Sequence, residues 1–289
     1  MFSLFYLLLN LLTVANTMHT FRHDAMATYF EARISAPDAT YAKQAAQAIW
    51  SIIDLCESRL SRYQETSEIS LINRLKPGEV QKVSPEVFEC LKLCLNYQAI
   101  TGGAFDPALG PYIEKRGQLL MDENSFLVGV EGGMISLDLG AIGKGYALDL
   151  AAEELRSWDI EQALLVSGGS SLLALNSPDP QGWKIGIGGA QTGRYLYLKN
   201  NALGSSGTAV KGEHIINPMT GQPAQSNRRT WAIAKSAAKA DALSTAWMIL
   251  DTDEIQSICQ TDVTTGAVMQ SMDNPKELWT TLPNPLSAL

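Results

Sequence analysis

The sequence predicts an α+β fold in a single domain, with a mixed and largely antiparallel sheet packed against helices. Three observations carry that expectation. Segments of strand and helix spacing are interspersed without the regular βαβ alternation of a doubly wound sheet. No Pro-, Ser- or Gly-rich linker and no internal repeat divides the 289 residues. The hydrophobic fraction is 46% and the charged fraction 18%, proportions that build a substantial core.

Taken in order, Met1 to Ala15 is nearly all apolar, like the h-region of a signal peptide or a short anchor. It lacks the Lys or Arg that precedes an h-region, no lipobox cysteine follows, and it is shorter than the roughly 20 apolar residues of a spanning helix. Residues 1–17 are therefore read as a signal or anchor, or as an upstream mis-start with translation beginning at Met18. Residues 18–289 are read as the folded domain. A periplasmic or inner-membrane-anchored protein is placed ahead of a cytoplasmic one that starts at Met18.

Thr28 to Ile34 alternates as a strand does. Tyr41 to Arg59 carries Ala45, Ala48, Ile49, Ile52, Ile53 and Cys56 at helical spacing. Ser84-Pro85-Glu86 supplies an N-cap followed by Pro at the first helical position, and Gly102-Gly103 ends that helix. A short strand is expected at Met134 to Leu139 and a helix at Tyr146 to Trp158. Strands follow at Ala163 to Ser167, Trp183 to Ile187 and Tyr195 to Leu198, and a last helix spans Ala237 to Leu250. The four cysteines, Cys56, Cys90, Cys94 and Cys259, form no CxxC pair and read as buried thiols.

A net charge of −8 argues against a nucleic-acid surface, which needs clustered Lys and Arg. A phosphate-bearing ligand would have to be held by a small local device: backbone N–H groups, one or two cations, or a metal. Leu137-Asp138-Leu139-Gly140-Ala141-Ile142-Gly143-Lys144-Gly145-Tyr146 leads through a Gly-rich turn into a helix, where amides and the dipole favour an anion. It is not a P-loop, because Asp138 and Gly145 occupy positions that require Gly and Ser or Thr. Taken alone it also reads as a simple chain reversal. Asp241 and Thr245 lie four apart on one helix face, offering hard oxygens of the kind Mg²⁺ accepts, or an N-terminal Asp and an ordinary helical Thr. His214, ahead of the turn Asn217-Pro218-Met219-Thr220-Gly221, is placed as a general base could be, or reads equally as a packed or solvated histidine. Gly102-Gly103-Ala104-Phe105-Asp106-Pro107 and Leu60-Ser61-Arg62-Tyr63 with Ser67-Glu68-Ile69-Ser70 offer rings and carboxylates that could meet a heteroaromatic ring.

In this order, together with Ala25-Met26-Ala27-Thr28, Ser206-Gly207 and Ala240-Asp241-Ala242-Leu243-Ser244-Thr245-Ala246, these segments resemble the ApbE family of FAD:protein FMN transferases. The likeness runs from about His23 to Leu250. It implies a single ApbE-like, T-fold-related domain that takes FAD as substrate with Mg²⁺ at the pyrophosphate. FMN would pass to a Thr or Ser hydroxyl of an acceptor, a membrane-associated redox subunit with a Thr/Ser-Gly-Ala-Thr/Ser-like motif, with release of AMP. By motif match, Asp241, Thr245 and the carbonyl of Ala141 would hold the metal. Met26, Tyr63, Ala104, Phe105, Asp106, Asp138, Lys144 and Ile215 would line the FAD site, and His214 would be the base. Asn217 stands where the family usually has Asp, and the stretch from Gly207 to His214 is short. Hydrolysis of FAD to FMN and AMP, or FAD binding without catalysis, are the competing expectations. Asp262-Val263-Thr264-Thr265-Gly266-Ala267-Val268 resembles an acceptor motif but is read as a turn between a helix and a strand.

Overall fold

The computed structural model describes residues 16–108, 116–188, 194–207, 215–224, 226–282 and 287–288. The chain opens with a hairpin, β1 (Thr17–Ala25) and β2 (Thr28–Ala36), then α1 (Ala39–Leu60), α2 (Glu68–Ile72), β3 (Val80–Lys82) and α3 (Pro85–Ile100). Next come β4 (Gln118–Asp122), β5 (Leu127–Glu131), α4 (Gly143–Ser157), β6 (Ala163–Ser167), β7 (Ser171–Ala174), β8 (Trp183–Ile187), β9 (Arg194–Leu198) and β10 (Asn201–Gly207). The chain continues with β11 (Arg228–Ala234), α5 (Ala237–Ala246), α6 (Thr252–Thr261), β12 (Gly266–Ser271), β13 (Leu278–Thr280) and β14 (Ser287–Ala288).

Eight strands make one sheet in the order β1-β2-β6-β7-β10-β11-β12-β13, and every neighbouring pair is antiparallel. Alternation along the central strands sorts side chains to two buried faces. Leu165, Leu173, Ala202, Ala232, Ala234 and Ala267 face a layer of helices, whereas Leu164, Leu172, Leu203, Ile233 and Val268 face a second cluster that includes Ile187, Leu196 and Leu198. Those last three belong to a small sheet of order β14-β9-β8 that covers the second face. On the helix side the facing residues of β10 and β11 are small, so α5 comes very close. A Cβ added at Gly204 of β10 would lie 2.3 Å from the carbonyl oxygen of Ala240.

The α+β expectation with a largely antiparallel sheet is borne out. Ala163–Ser167 and Trp183–Ile187 are strands as expected, and Ser84 accepts from Val87 N at 3.4 Å ahead of Pro85 in α3. All four cysteines are free and buried. The turn between α6 and β12 is also as read: Thr265 is 6% exposed and its hydroxyl donates to Asp262. Three expectations around the site differ. Met134 to Leu139 is not a strand, since Leu137 exchanges backbone hydrogen bonds with the Asn73 side chain (2.7 and 3.0 Å) and Asp138 N donates to Pro107 O at 2.7 Å. These partners satisfy the backbone without a ladder. α4 starts at Gly143, within the Gly-rich turn, and α5 ends at Ala246 rather than Leu250. The apolar segment 1–15 lies outside the described residues, and among those described no helix is long and apolar enough to cross a membrane.

Candidate functional site

The Gly-rich segment forms the start of α4 and its cap. Asp138 Oδ1 accepts from Gly140 N at 2.9 Å, Gly143 N returns to Leu139 O at 2.7 Å, and Lys144 Nζ reaches back to Gly140 O at 3.3 Å. Ile142, at the N-cap, has no side chain able to take the free amides of the first turn. One of those amides is taken from across the fold: Gly145 N donates to Asp241 Oδ2 at 2.8 Å. Gly145 must be glycine, because a Cβ there would lie 2.2 Å from Ala237 O.

Asp241 is 5% exposed, and its Oδ2 also accepts from Ser171 Oγ at 2.8 Å. Burial pushes its carboxyl up to about 6, against the opposing pull of Lys144, Ser171 and the Gly145 amide. Among the described residues no hydrogen bond reaches Oδ1. One turn on, Thr245 Oγ1 lies 3.2 Å from Asp241 O and 3.2 Å from Ser206 Oγ, which in turn lies 2.9 Å from Ser244 Oγ. Thr230 Oγ1 closes this buried polar set by donating to Ser244 O at 2.6 Å. β7, β10 and α4 thus converge on Asp241 and Thr245 of α5, and β11 braces the intervening Ser244.

Among the described residues no cluster of three or more His, Cys, Asp or Glu could hold a metal ion. The oxygens that the structure brings together here, among the described residues, are the unpaired carboxylate oxygen of Asp241 and the Thr245 hydroxyl. That sparse set of hard oxygens fits Mg²⁺, which keeps waters and takes substrate phosphate oxygens to complete its octahedron.

The remaining expected residues fall into separate groups. Tyr63 is 79% exposed, with the Arg62 guanidinium 4.6 Å from its ring centroid. Arg62 Nε lies 2.8 Å from Asp138 Oδ2 in an ionic contact whose Nε–H is not aimed along it. Arg62 therefore ties the Tyr63 wall to the turn before α4. Ala104 and Phe105 are buried, Phe105 at 2% exposure, so they can offer a ligand only backbone; Asp106 is held by Ala108 N (2.9 Å) and Arg116 (2.5 Å). Met26 and Ala27 turn the first hairpin with φ of 50° and 54°, a left-handed pair that Asn-Gly would make at lower cost.

Ile215 is buried with Ala224 and Met248. Asn217 Oδ1 accepts from Met219 N at 2.9 Å, so its side chain serves the turn. His214 lies outside the described residues. An open cleft of about 680 Å³ adjoins the Asn217 turn, beyond the end of α5, lined by Arg228, Met248, Gln270, Asp273 and Trp279 among others. Neither Asp241 nor Lys144 lines it, so it is a neighbour of the polar site rather than the site itself.

Three participants went unread as site residues. Arg62 and Ser206 sit inside quoted segments, yet nothing in their spacing shows the partners they meet. Ser171 had a signal, the run Ser167-Gly168-Gly169-Ser170-Ser171, in which Gly168 and Gly169 take φ of 57° and 73° and turn β6 into β7.

The model of the ApbE family matches residues 26–269. An FAD:protein FMN transferase of Vibrio cholerae is 24% identical over 273 residues, covering 81% of each chain, and one from Escherichia coli K12 is 23% identical over 281 residues, covering 81% of this chain and 78% of the relative. Among solved structures, the ApbE protein of Thermotoga maritima superposes with a TM-score of 0.77 at 25% identity, covering 91% of this chain and 96% of that one. The flavin transferase ApbE of Vibrio cholerae gives a TM-score of 0.76 at 19% identity, over 92% and 97% of the two chains.

Proposed function

Because this chain belongs to the ApbE family, we propose that it transfers FMN from FAD to a Thr or Ser hydroxyl of an acceptor protein, releasing AMP, with Mg²⁺ held by Asp241, Thr245 and the Ala141 carbonyl. The observation that carries the metal assignment is the buried carboxylate of Asp241, with Oδ2 fixed by two donors and Oδ1 free of them among the described residues. The acceptor segment is expected to carry a Thr/Ser-Gly-Ala-Thr/Ser-like motif on a redox membrane subunit.

In this reaction the acceptor oxygen bonds to the FMN-side phosphorus, the bridging P–O bond breaks, and AMP leaves with the electron pair. A bound Mg²⁺ supplies charge neutralisation at the pyrophosphate. The chain supplies the rest. Lys144 brings a second positive charge at the start of α4, and the exposed ring of Tyr63 offers a stacking face backed by Arg62. Asp138 holds the turn that presents Ala141, through Gly140 N. His214 takes the hydroxyl proton, a role suited to a base near neutrality. Positioning and electrostatics of this kind are what phosphoryl transfer needs from a protein.

The test is to incubate the purified protein with FAD, Mg²⁺ and an acceptor domain bearing the motif. Covalent fluorescent flavin on the acceptor is expected; failure with several cognate acceptors would sink the assignment. AMP release without any acceptor would instead mark the protein as an FAD pyrophosphatase.

A further inference from the structure

We infer that Asp149, which touches neither metal nor substrate in this scheme, is a positioning residue that sets the metal-binding face of α5 through a reciprocal exchange of carboxylates between α4 and α5. Asp149 on α4 accepts from Ser236 Oγ at 2.7 Å, Ala237 N at 2.7 Å and Ala238 N at 2.9 Å. The last two are the first amides of α5, among the four that no intrahelical carbonyl can reach. Asp241 on α5 returns the exchange, taking the Gly145 amide in the first turn of α4.

The arrangement is symmetric in sequence. On α4, Gly145 gives an N–H and Asp149, four residues on, gives a carboxylate; on α5, Ala237 and Asp241 do the same at the same spacing. Residues four apart share one helix face, so each helix presents donor and acceptor to the other along a single line of contact. The contact centres on Gly145 against Ala237, where the backbones are too close for a Cβ. Each negative charge also sits at the positive end of the other helix.

A register follows from this. Asp149 fixes where α5 begins, and the Gly145 amide fixes Asp241 Oδ2, which leaves Oδ1 as the oxygen free to face a cation. Thr245 lies one turn beyond Asp241 on the same face. Without Asp149, three donors at the start of α5 lose their acceptor, and the helix can shift or fray relative to the turn carrying Ala141. The carboxylate and the hydroxyl would then no longer be presented together. Outer partners that orient metal ligands typically change affinity by about 10–100-fold.

The inference rests on the metal reading above, and its test separates the two. Mn²⁺, as a probe for Mg²⁺, is titrated into the FAD-free full chain by isothermal calorimetry and by loss of the free-ion EPR signal. Asp149→Asn, which sets an amide N–H₂ against donors, should weaken Mn²⁺ by about tenfold or more. Asp38→Ala is the control: Asp38 caps α1 by accepting from Thr40 and Tyr41 amides, and its loss should lower the melting temperature yet leave Mn²⁺ affinity within about twofold of wild type. Asp149→Asn binding Mn²⁺ as wild type does, or Asp38→Ala weakening it equally, overturns the inference. If Asp149→Asn does not fold, Ser236→Ala takes its place: it removes one of the three donors to Asp149, together with the cap that accepts from Lys239 N, and should weaken Mn²⁺ beyond the range of the Asp38→Ala control. An unchanged affinity overturns the inference in the same way. Wild-type protein that ignores Mn²⁺, or Asp241→Asn that binds it normally, instead removes the metal reading and the inference with it.

Discussion

Replacing Asp241 is the obvious way to disable the proposed site, and the structure says which replacement is informative. Asp241→Ala leaves Gly145 N–H and Ser171 Oγ–H buried without an acceptor, at about 1–3 kcal/mol each. The same change also removes a buried charge. A carboxyl moved from 3.8 to about 6 by burial costs the metal-free protein about 3 kcal/mol at pH 7. Asp241→Asn keeps an acceptor oxygen for the two donors and sheds the charge. In metal-free buffer at pH 7 it should be as stable as wild type, or more stable, in urea unfolding. It should also lose transfer activity and its response to metal. Saturating Mg²⁺ at about 100 times its Kd adds about 2.7 kcal/mol to the wild type. For a chain of this size that amounts to a rise of roughly 5 °C in Tm. Asp241→Asn should show no rise. The reasoning fails if metal-free Asp241→Asn is less stable than wild type by more than about 2 kcal/mol, or if Mg²⁺ raises its Tm as it does for wild type.

Metal affinity should fall about tenfold per pH unit below about pH 6, as the proton competes for Asp241, which Mn²⁺ titrations at several pH values would read. The metal-free protein should behave in the opposite sense: the folded state binds the proton more tightly than the unfolded one, so its stability falls as pH rises from 3.8 to about 6, and denaturation with chelator present tests that sign. Gly145→Ala must push α4 away from Ala237, costing about 1–3 kcal/mol and weakening Mn²⁺ binding as well; a variant with wild-type affinity would show that the close approach is irrelevant to the site. Arg62→Ala frees Asp138 and leaves Tyr63 unsupported, so steady-state kinetics should show KM for FAD raised several-fold with kcat largely kept. Its Tm should barely move, because the ion pair it breaks is partly exposed and worth about 0–1 kcal/mol.

The sequence made some of this legible and withheld the rest for identifiable reasons. Long, strongly periodic elements such as α1 and α3 were readable because one face of each is buried, and α3 also carries Ser84 and Pro85 at its start and Gly102 and Gly103 past its end. β10 and β11 were not, since their inward positions are alanines and a glycine that exist to admit α5, and small residues give no strand signal. Met134 to Leu139 misled in the other direction: Ile135, Leu137 and Leu139 alternate and are buried, yet the Asn73 side chain takes the place of a partner strand. For the site, spacing put Asp241 and Thr245 on one face of α5. It could not show that Gly145, 96 positions away, donates to the carboxylate, or that Arg62 bridges Tyr63 and Asp138. Those are tertiary facts, set by which helices pack together.

An acidic chain that handles a pyrophosphate must concentrate positive charge locally, and the site shows how little of it there is before a cation arrives. The net charge is −8, and in the site Arg62 is matched by Asp138. The charges of Lys144 and Asp241 offset each other, and the positive end of α4 is already met by the same carboxylate. The protein alone therefore presents close to no net charge where the two ionised phosphate groups of FAD would lie. A divalent cation on Asp241 restores two positive charges at that point and matches the pyrophosphate. Metal and nucleotide should accordingly bind with positive coupling, each raising the affinity of the other by the same factor, as linkage requires. On the proposed metal reading the buried carboxylate would serve twice: it accepts from the start of a helix that has no cap of its own, and it would hold the ion that makes the capped helix a phosphate site.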